Sequence, residues 1–242
     1  MRFNSSRMLV ALVAVFAISA VAVASASAYT NPILVNSKGE HASKVKFTGR
    51  SKAGNWDQPI QTPGGSKWQC EGGETSTGEL STTGTGTVAV TSGTETVIYT
   101  GCEGCVNTKK AGEIEGKFSL SAVWLDKESE ERPGMRVSIP TMSEKPGNGK
   151  GGKWVFKCWG SAEEVEGAFV APLGPELNET FTKTVFRANQ TDGVQAYKKY
   201  TEEGKEGENF LYSNFAGGSF IESAAIREEE QTYAEKVEVV KS

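Results

Sequence analysis

The stretch from Ile114 to Trp124, "IEGKFSLSAVW", constrains the fold more than any other part of the chain. Ile114, Phe118, Leu120, Ala122 and Trp124 fall at even spacing, with Glu115, Lys117, Ser119 and Ser121 between them. Successive side chains of a β-strand point to opposite faces, so this pattern predicts a strand with one face buried and the other in water. "MRVSI" repeats it with Met135, Val137 and Ile139 inward, and "KWVFKC" sets Trp154, Phe156 and Cys158 on one face. "EVEGAFVAP", "FTKTVFRAN" and "YAEKVEVV" follow the same rule, the last with Tyr233, Val237 and Val239 inward. Only "EEEQTYAEK" has a helical rival, and its alternation beyond Gln231 favours strand. Turn signals such as "TPGG", "KPGNGKGG" and "PLGPE" separate these runs. Short strands, 28 glycines and many threonines predict an all-β fold, an antiparallel β-sandwich or open barrel with little or no helix in the mature chain.

The segment Glu71 to Thr96, "EGGETSTGELSTTGTGTVAVTSGTET", approaches low complexity. Its threonines suit solvated strand faces and its glycines mark hairpin turns; the alternative is a flexible adhesive or glycosylated stalk. "EKPGNGKGGK" at 144–153 reads as a long hairpin loop. Residues 29–46 carry no clear core pattern and are read as a loosely ordered lead-in, leaving a single β-domain over 47–242.

Arg2 and Arg7 precede an apolar run from Met8 to Ala24, and "SASA" follows before Tyr29. Residues 1–28 therefore read as a signal peptide with an A-x-A cleavage after Ala28. The run is nearly long enough to span a bilayer. It is Ala-rich, however, ends in a cleavage site and has no basic stop-transfer flank, so the expectation is a secreted chain with no membrane insertion after cleavage. The arginines are not adjacent and no Cys stands at the cleavage point, which argues against twin-arginine and lipoprotein routes. The formal net charge is −4, and loss of Arg2 and Arg7 makes the mature chain more acidic. Nucleic acid and anionic membranes need a basic patch. "KK" at 109–110 and 198–199 are isolated pairs, so neither is an expected partner.

Cys70, Cys102, Cys105 and Cys158 are an even set in an exported chain, which favours disulfides. Zinc would need more ligands than "CEGC" supplies, and the only histidine is His41. A thioredoxin-like thiol needs a helix after its C-x-x-C, whereas "TVIYTGC" reads as a strand running into the motif and "VNTKKAGE" as loop. A turn at Glu103-Gly104 would bring Cys102 and Cys105 within bridging distance. The expected pairs are therefore Cys102–Cys105 and Cys70–Cys158.

No cofactor and no metal is expected. His41 lies in the polar "KGEHASK", a poor platform for a general base. Calcium would need clustered oxygen ligands, and the runs "KESEE" (127–131) and "REEEQ" (227–231) read as solvated faces. Glycoside hydrolysis needs only two carboxylates. Its candidates are Glu113, Glu115, Glu164 and Glu166, near Trp124, Trp154 and Trp159; in the strand at 113–125 the glutamates fall out of phase with the apolar face. Trp56, Trp68 and Trp159 sit in or beside loops and are the candidates for stacking on a sugar ring. The rival reading packs Trp68 and Trp159 over the Cys70–Cys158 bridge.

"FTGRS" (47–51), "KWQCEGGETSTGEL" (67–80), "VIYTGCEGC" (97–105), "GEIEG" (112–116), "FKC" (156–158), "GAFVAP", "TFTKTVFRA", "AGGSFIESA" (216–224) and a terminal "EKVEV" occur in this order. In that order the chain resembles a family of exported β-rich actinobacterial proteins of unassigned function, over most of its mature length. The resemblance implies an exported bacterial β-protein and carries no catalytic residues. The chain departs from the group in the tight spacing of its C-x-x-C. The functional expectation is an exported, non-enzymatic β-domain with a structural or binding role at the cell surface or outside the cell, its partner a glycan or another envelope component. The alternative is a carbohydrate-binding module or glycoside hydrolase.

Overall fold

The structure, a computed structural model, describes residues 30–51, 60–66, 68–125, 132–139, 152–174, 176–188, 190–208, 210–225 and 227–242. The first strands are β1 (Pro32–Asn36), β2 (Val45–Arg50), β3 (Glu74–Thr83), β4 (Val90–Thr100), β5 (Cys105–Val106) and β6 (Glu113–Leu125). Then come β7 (Arg132–Ser138), β8 (Trp154–Cys158), β9 (Ser161–Pro172), β10 (Thr180–Ala188), β11 (Gln190–Thr191) and β12 (Val194–Gln195). The last are β13 (Lys199–Glu202), β14 (Lys205–Glu208), β15 (Leu211–Asn214), β16 (Ile221–Ser223) and β17 (Arg227–Lys241). Among the described residues the only helical turn is a 3-10 turn at Gly86–Val88, and no helix is long and apolar enough to cross a membrane.

The fold is all-β, antiparallel and sandwich-like, and is not closed into a barrel. Its spine runs β1-β17-β2-β3-β4-β6-β7-β9-β15-β16, with β10 beside β17. The layers are joined by β9. Its C-terminal half pairs with β7, Gly134 opposite Pro172, while its N-terminal half pairs with β8 and β15, Trp154 opposite Val165. Between the halves lies Gly167 at φ 108, where a Cβ would strike the Phe210 carbonyl. A strand that bends at such a glycine makes the corner of a sandwich.

The expected alternation is present. Ile114, Phe118, Leu120 and Ala122 are buried, as are Met135, Val137, Ile139, Trp154, Phe156, Tyr233, Val237 and Val239. They belong to one core between the layers. There β8 lays Trp154 against Tyr99 and Phe118, at ring separations of 5.9 and 5.5 Å. Trp124 is half-buried and donates from Nε1 to the Thr30 carbonyl at 2.6 Å.

Two expectations are corrected. Residues 32–36 are not part of a lead-in: Ile33, Leu34 and Val35 are buried, and β1 pairs with the end of β17 from Pro32–Lys241 to Asn36–Val237. A strand covered on both faces shows a continuous apolar run instead of alternation, and five residues are too few to display a period. Most of 144–153 lies outside the described residues, but its flanking strands do not form a hairpin. β7 and β8 each pair with β9. The threonine-rich segment follows its first reading, strands joined by a turn: β3 and β4 pair from Glu74–Tyr99 to Thr83–Val90 in the middle of the sheet.

Candidate functional site

The cysteines are all oxidised, in pairs that differ from the expected ones: Cys70 with Cys102 and Cys105 with Cys158. The turn at Glu103-Gly104 is present, with Gly104 at φ 69 and the Cys105 N–H donating to the Cys102 carbonyl at 3.2 Å. That turn closes through its backbone, and its two cysteines face different strands. Cys102 lies beside Cys70 in an isolated bridge, and Cys105 stands opposite Cys158 in the β5–β8 ladder. The bridges thus tie the end of β4 to the approach to β3 on one side and to β8 on the other.

Each aromatic candidate has a different fate. Trp56 lies outside the described residues. Trp68 is not a stacking platform, being 2% exposed, with its ring stacked on Phe215 and edge-on to Phe156 at centroid distances of 4.6 Å each. It shares its core cluster with all four cysteines. Trp159 is 72% exposed. It occupies the β8–β9 turn at φ 48, donates its N–H to the Gly104 carbonyl at 2.8 Å, and rests its indole where a Gly104 side chain would sit.

The carboxylates considered for hydrolysis are engaged elsewhere. Glu113 accepts from Lys110 Nζ at 3.1 Å, and hydrogen bonds from Lys110 and Thr108 hold its carboxyl below the usual range. Glu115 pairs with Lys117 at 3.4 Å and Glu164 with Lys153 at 2.7 Å, while Glu166 is buried. His41 is exposed.

"REEEQ" is the larger surprise, because it is not a solvated face. β17 alternates, so Glu228 and Glu230 face outward while Arg227, Glu229 and Gln231 are buried. Arg227 donates from Nε to Glu74 at 2.9 Å, to both oxygens of Glu95 at 2.7 and 2.6 Å, and to Glu229 at 2.8 Å. Its guanidinium carbon lies 5.2 Å from the centre of the Phe186 ring. Gln231 and Ser76 donate to Glu229 at 2.7 and 2.8 Å, and Tyr233 donates to Gln231 at 3.0 Å. Burial pushes the Glu95 carboxyl up, more than the Arg227 charge pulls it down. Burial acts on Glu229 in the same sense, but Arg227 and the hydrogen bonds from Gln231 and Ser76 hold it below the usual range. Burial opposes the Arg227 charge, yet its three carboxylates keep it firmly protonated. Beside the cluster lies a void of about 10 Å³ lined mainly by apolar core residues such as Phe47, Leu120 and Phe186, with Glu95, Gln231 and Tyr233 on its wall, room for roughly one water. It is a fastener joining β3, β4 and β17, with no space for a substrate.

Space for a ligand lies on the opposite face of the same strands. Gly49 and Ser76 form the boundary: a Cβ on Gly49 would run into the Glu229 carboxylate and the Ser76 hydroxyl, and both residues also line an open cleft of about 850 Å³ on the outer side. Thr48, Thr75, Thr77 and Thr232 supply its hydroxyl groups, and Arg50 and Glu230 its charges. Register produces this lining and continues it past the cleft into β4. Thr232 stands opposite Thr48, Thr48 opposite Thr77, and Thr77 opposite Thr96. A single row of threonines therefore crosses β17, β2, β3 and β4. In the next row Glu230 stands opposite Arg50, and Arg50 opposite Thr75. The "TST" at 75–77 and "TET" at 94–96 announce outward threonines, but nothing local aligns them.

Comparison with protein-family models, curated proteins and solved structures finds no match.

Proposed function

We propose that this chain is an exported, non-enzymatic β-domain that binds a polar ligand at the cell surface or outside the cell, and that the threonine cleft is its binding face. One observation carries the reading. An open cleft of about 850 Å³ lies over interior strands whose side chains are held in register from both sides. Rigid strands position recognition groups more tightly than loops do. The leader ending at Ala28 and the two disulfides support export, since disulfides persist in oxidising compartments. A binding role fits the carboxylates better than catalysis: Glu113, Glu115 and Glu164 are each paired with a lysine, and the cleft itself holds a single carboxylate, Glu230, where a glycosidase places two.

A second reading, a carbohydrate binder using an aromatic platform, is favoured among the described residues by Trp159, which is exposed on a turn anchored next to a disulfide. The two are separated by presenting the full chain, expressed with its own leader and recovered from the medium, to immobilised glycans and envelope fractions. Turnover is followed in parallel. Binding without turnover is expected, lost in Thr77→Arg and retained in Trp159→Ala. Turnover that disappears in Glu230→Gln, or binding that depends on Trp159 and tolerates Thr77→Arg, would contradict the proposal.

A further inference from the structure

We propose that the occupant of the threonine cleft is a neutral polyhydroxylated chain, an oligosaccharide lying across the strands along Thr232, Thr48, Thr77 and Thr96. This rests on the reading of the cleft as the binding face and adds the chemistry of what it takes.

The hydroxyl groups come first. Each threonine offers one donor and two acceptor lone pairs on a freely turning O–H, which matches a sugar hydroxyl with the same dual character. A polyanion is recognised by several unneutralised cations acting together; the cleft lining has Arg50, and the lysines flanking the row, Lys183 beside Thr232 and Lys117 beside Thr96, are paired with Glu230 and Glu115. That arginine stands directly opposite Glu230 in the ladder, so the two charges offset each other's field. A metal or a polycation would need several oxygen anions, and Glu230 is already in contact with Lys183 Nζ at 3.1 Å. A lipid chain or an apolar helix needs a continuous hydrophobic lining. Here the apolar content is the threonine methyl groups, spaced among hydroxyls, which suits the C–H faces of a sugar ring.

The backbone narrows the choice further. β2 and β3 are interior strands whose ladders are filled on both edges, so a peptide cannot join them by strand addition. Contact has to be made through side chains. Four strands at a spacing of about 4.8 Å give a row roughly 14 Å long, the reach of a short oligosaccharide laid perpendicular to the strands. Thr48 and Thr77 in the middle are exposed, and Thr232 and Thr96 at the ends are half-buried.

The test titrates the full exported chain with cellohexaose, chitohexaose and maltohexaose as neutral probes and hexagalacturonate as the acidic counterpart. Threonine methyl resonances and the Trp159 indole N–H are followed by NMR. At least one neutral hexasaccharide is expected to move Thr48, Thr77, Thr96 and Thr232. Thr77→Val, which keeps the shape and removes the hydroxyl, should weaken that ligand about tenfold, the equivalent of one lost hydrogen bond. Thr182→Val, at an exposed position of β10 outside the row, should leave it unchanged. If only hexagalacturonate moves the row, the neutral class is wrong and the binding face stands. If the Trp159 indole responds and the row does not, or if no probe moves the row at millimolar concentration, both the class and the face are overturned.

Discussion

Replacing Arg227 by Met should be among the most damaging single changes in this protein. The guanidinium is 1% exposed and makes four hydrogen bonds to three carboxylates, two of them to Glu95. Methionine fills part of the space and leaves Glu74, Glu95 and Glu229 without their cation, so ionised forms must be protonated or stay buried and uncompensated. Breaking a buried charge cluster from one side costs about 3–5 kcal/mol, a large part of the roughly 5–15 kcal/mol that holds a typical domain together. For a chain of this size the melting temperature should fall by about 6–20 °C. Urea unfolding with disulfides intact measures the cost directly. It should be greater at pH 7 than at pH 5, because orphaned carboxyl groups have raised pKa values in the folded variant and their penalty grows as pH rises through them. A loss under about 1 kcal/mol with no pH dependence would refute the view that Arg227 fastens the sheet.

Three further outcomes follow from the same structure. Glu229 has a depressed folded pKa, so its contribution is present above the ordinary carboxylate value and fades as pH falls through the depressed one; the cost of Glu229→Gln, measured by urea unfolding, should be largest near neutrality and shrink in acid. Gly49→Ala drives a methyl group into the Glu229 carboxylate and the Ser76 hydroxyl and should cost about 2–3 kcal/mol by urea unfolding, within the range for overpacking. Peptide mapping of the unreduced chain should give Cys70 linked to Cys102 and Cys105 to Cys158. Because these bridges span 32 and 53 residues in sequence, replacing either pair by alanine should cost about 4 kcal/mol in the chain-entropy account.

The legible part of the fold was the part written in local periodicity. From Ile114 to Ala122 one alternation decides which face is buried, and the structure obeys it. Immediately beyond it, Val123 and Leu125 on the other face are also buried, with Val170 and the partly buried Tyr197 and Tyr200 packed against them. That cover arrives from β13, which pairs with the end of β6, and nothing near Leu125 announces it. "REEEQ" fails for the same reason. Its alternation is plain, but charge suggests water, and the groups that make burial tolerable, Glu95 and Glu74, lie 132 and 153 residues away in the chain. With the cysteines, the short spacing of "CEGC" correctly implies a turn and says nothing about which strands flank it. Trp68 and Trp159 look alike in sequence, each near a cysteine, yet one is enclosed by Phe156 and Phe215 and the other projects from a hairpin turn. The cleft depends on register, which sets Thr48 beside Thr77 and Thr77 beside Thr96, and register is a relation between strands that no single strand encodes.

The most direct measurement is a crystal structure of the disulfide-bonded chain soaked with the neutral hexasaccharide that binds it most tightly. Sugar density is expected over the outer face of β2 and β3, with ring hydroxyls within hydrogen-bond distance of Thr48 and Thr77 and the Arg227 cluster undisturbed beneath. Density at the Trp159 turn with an empty threonine row would contradict it.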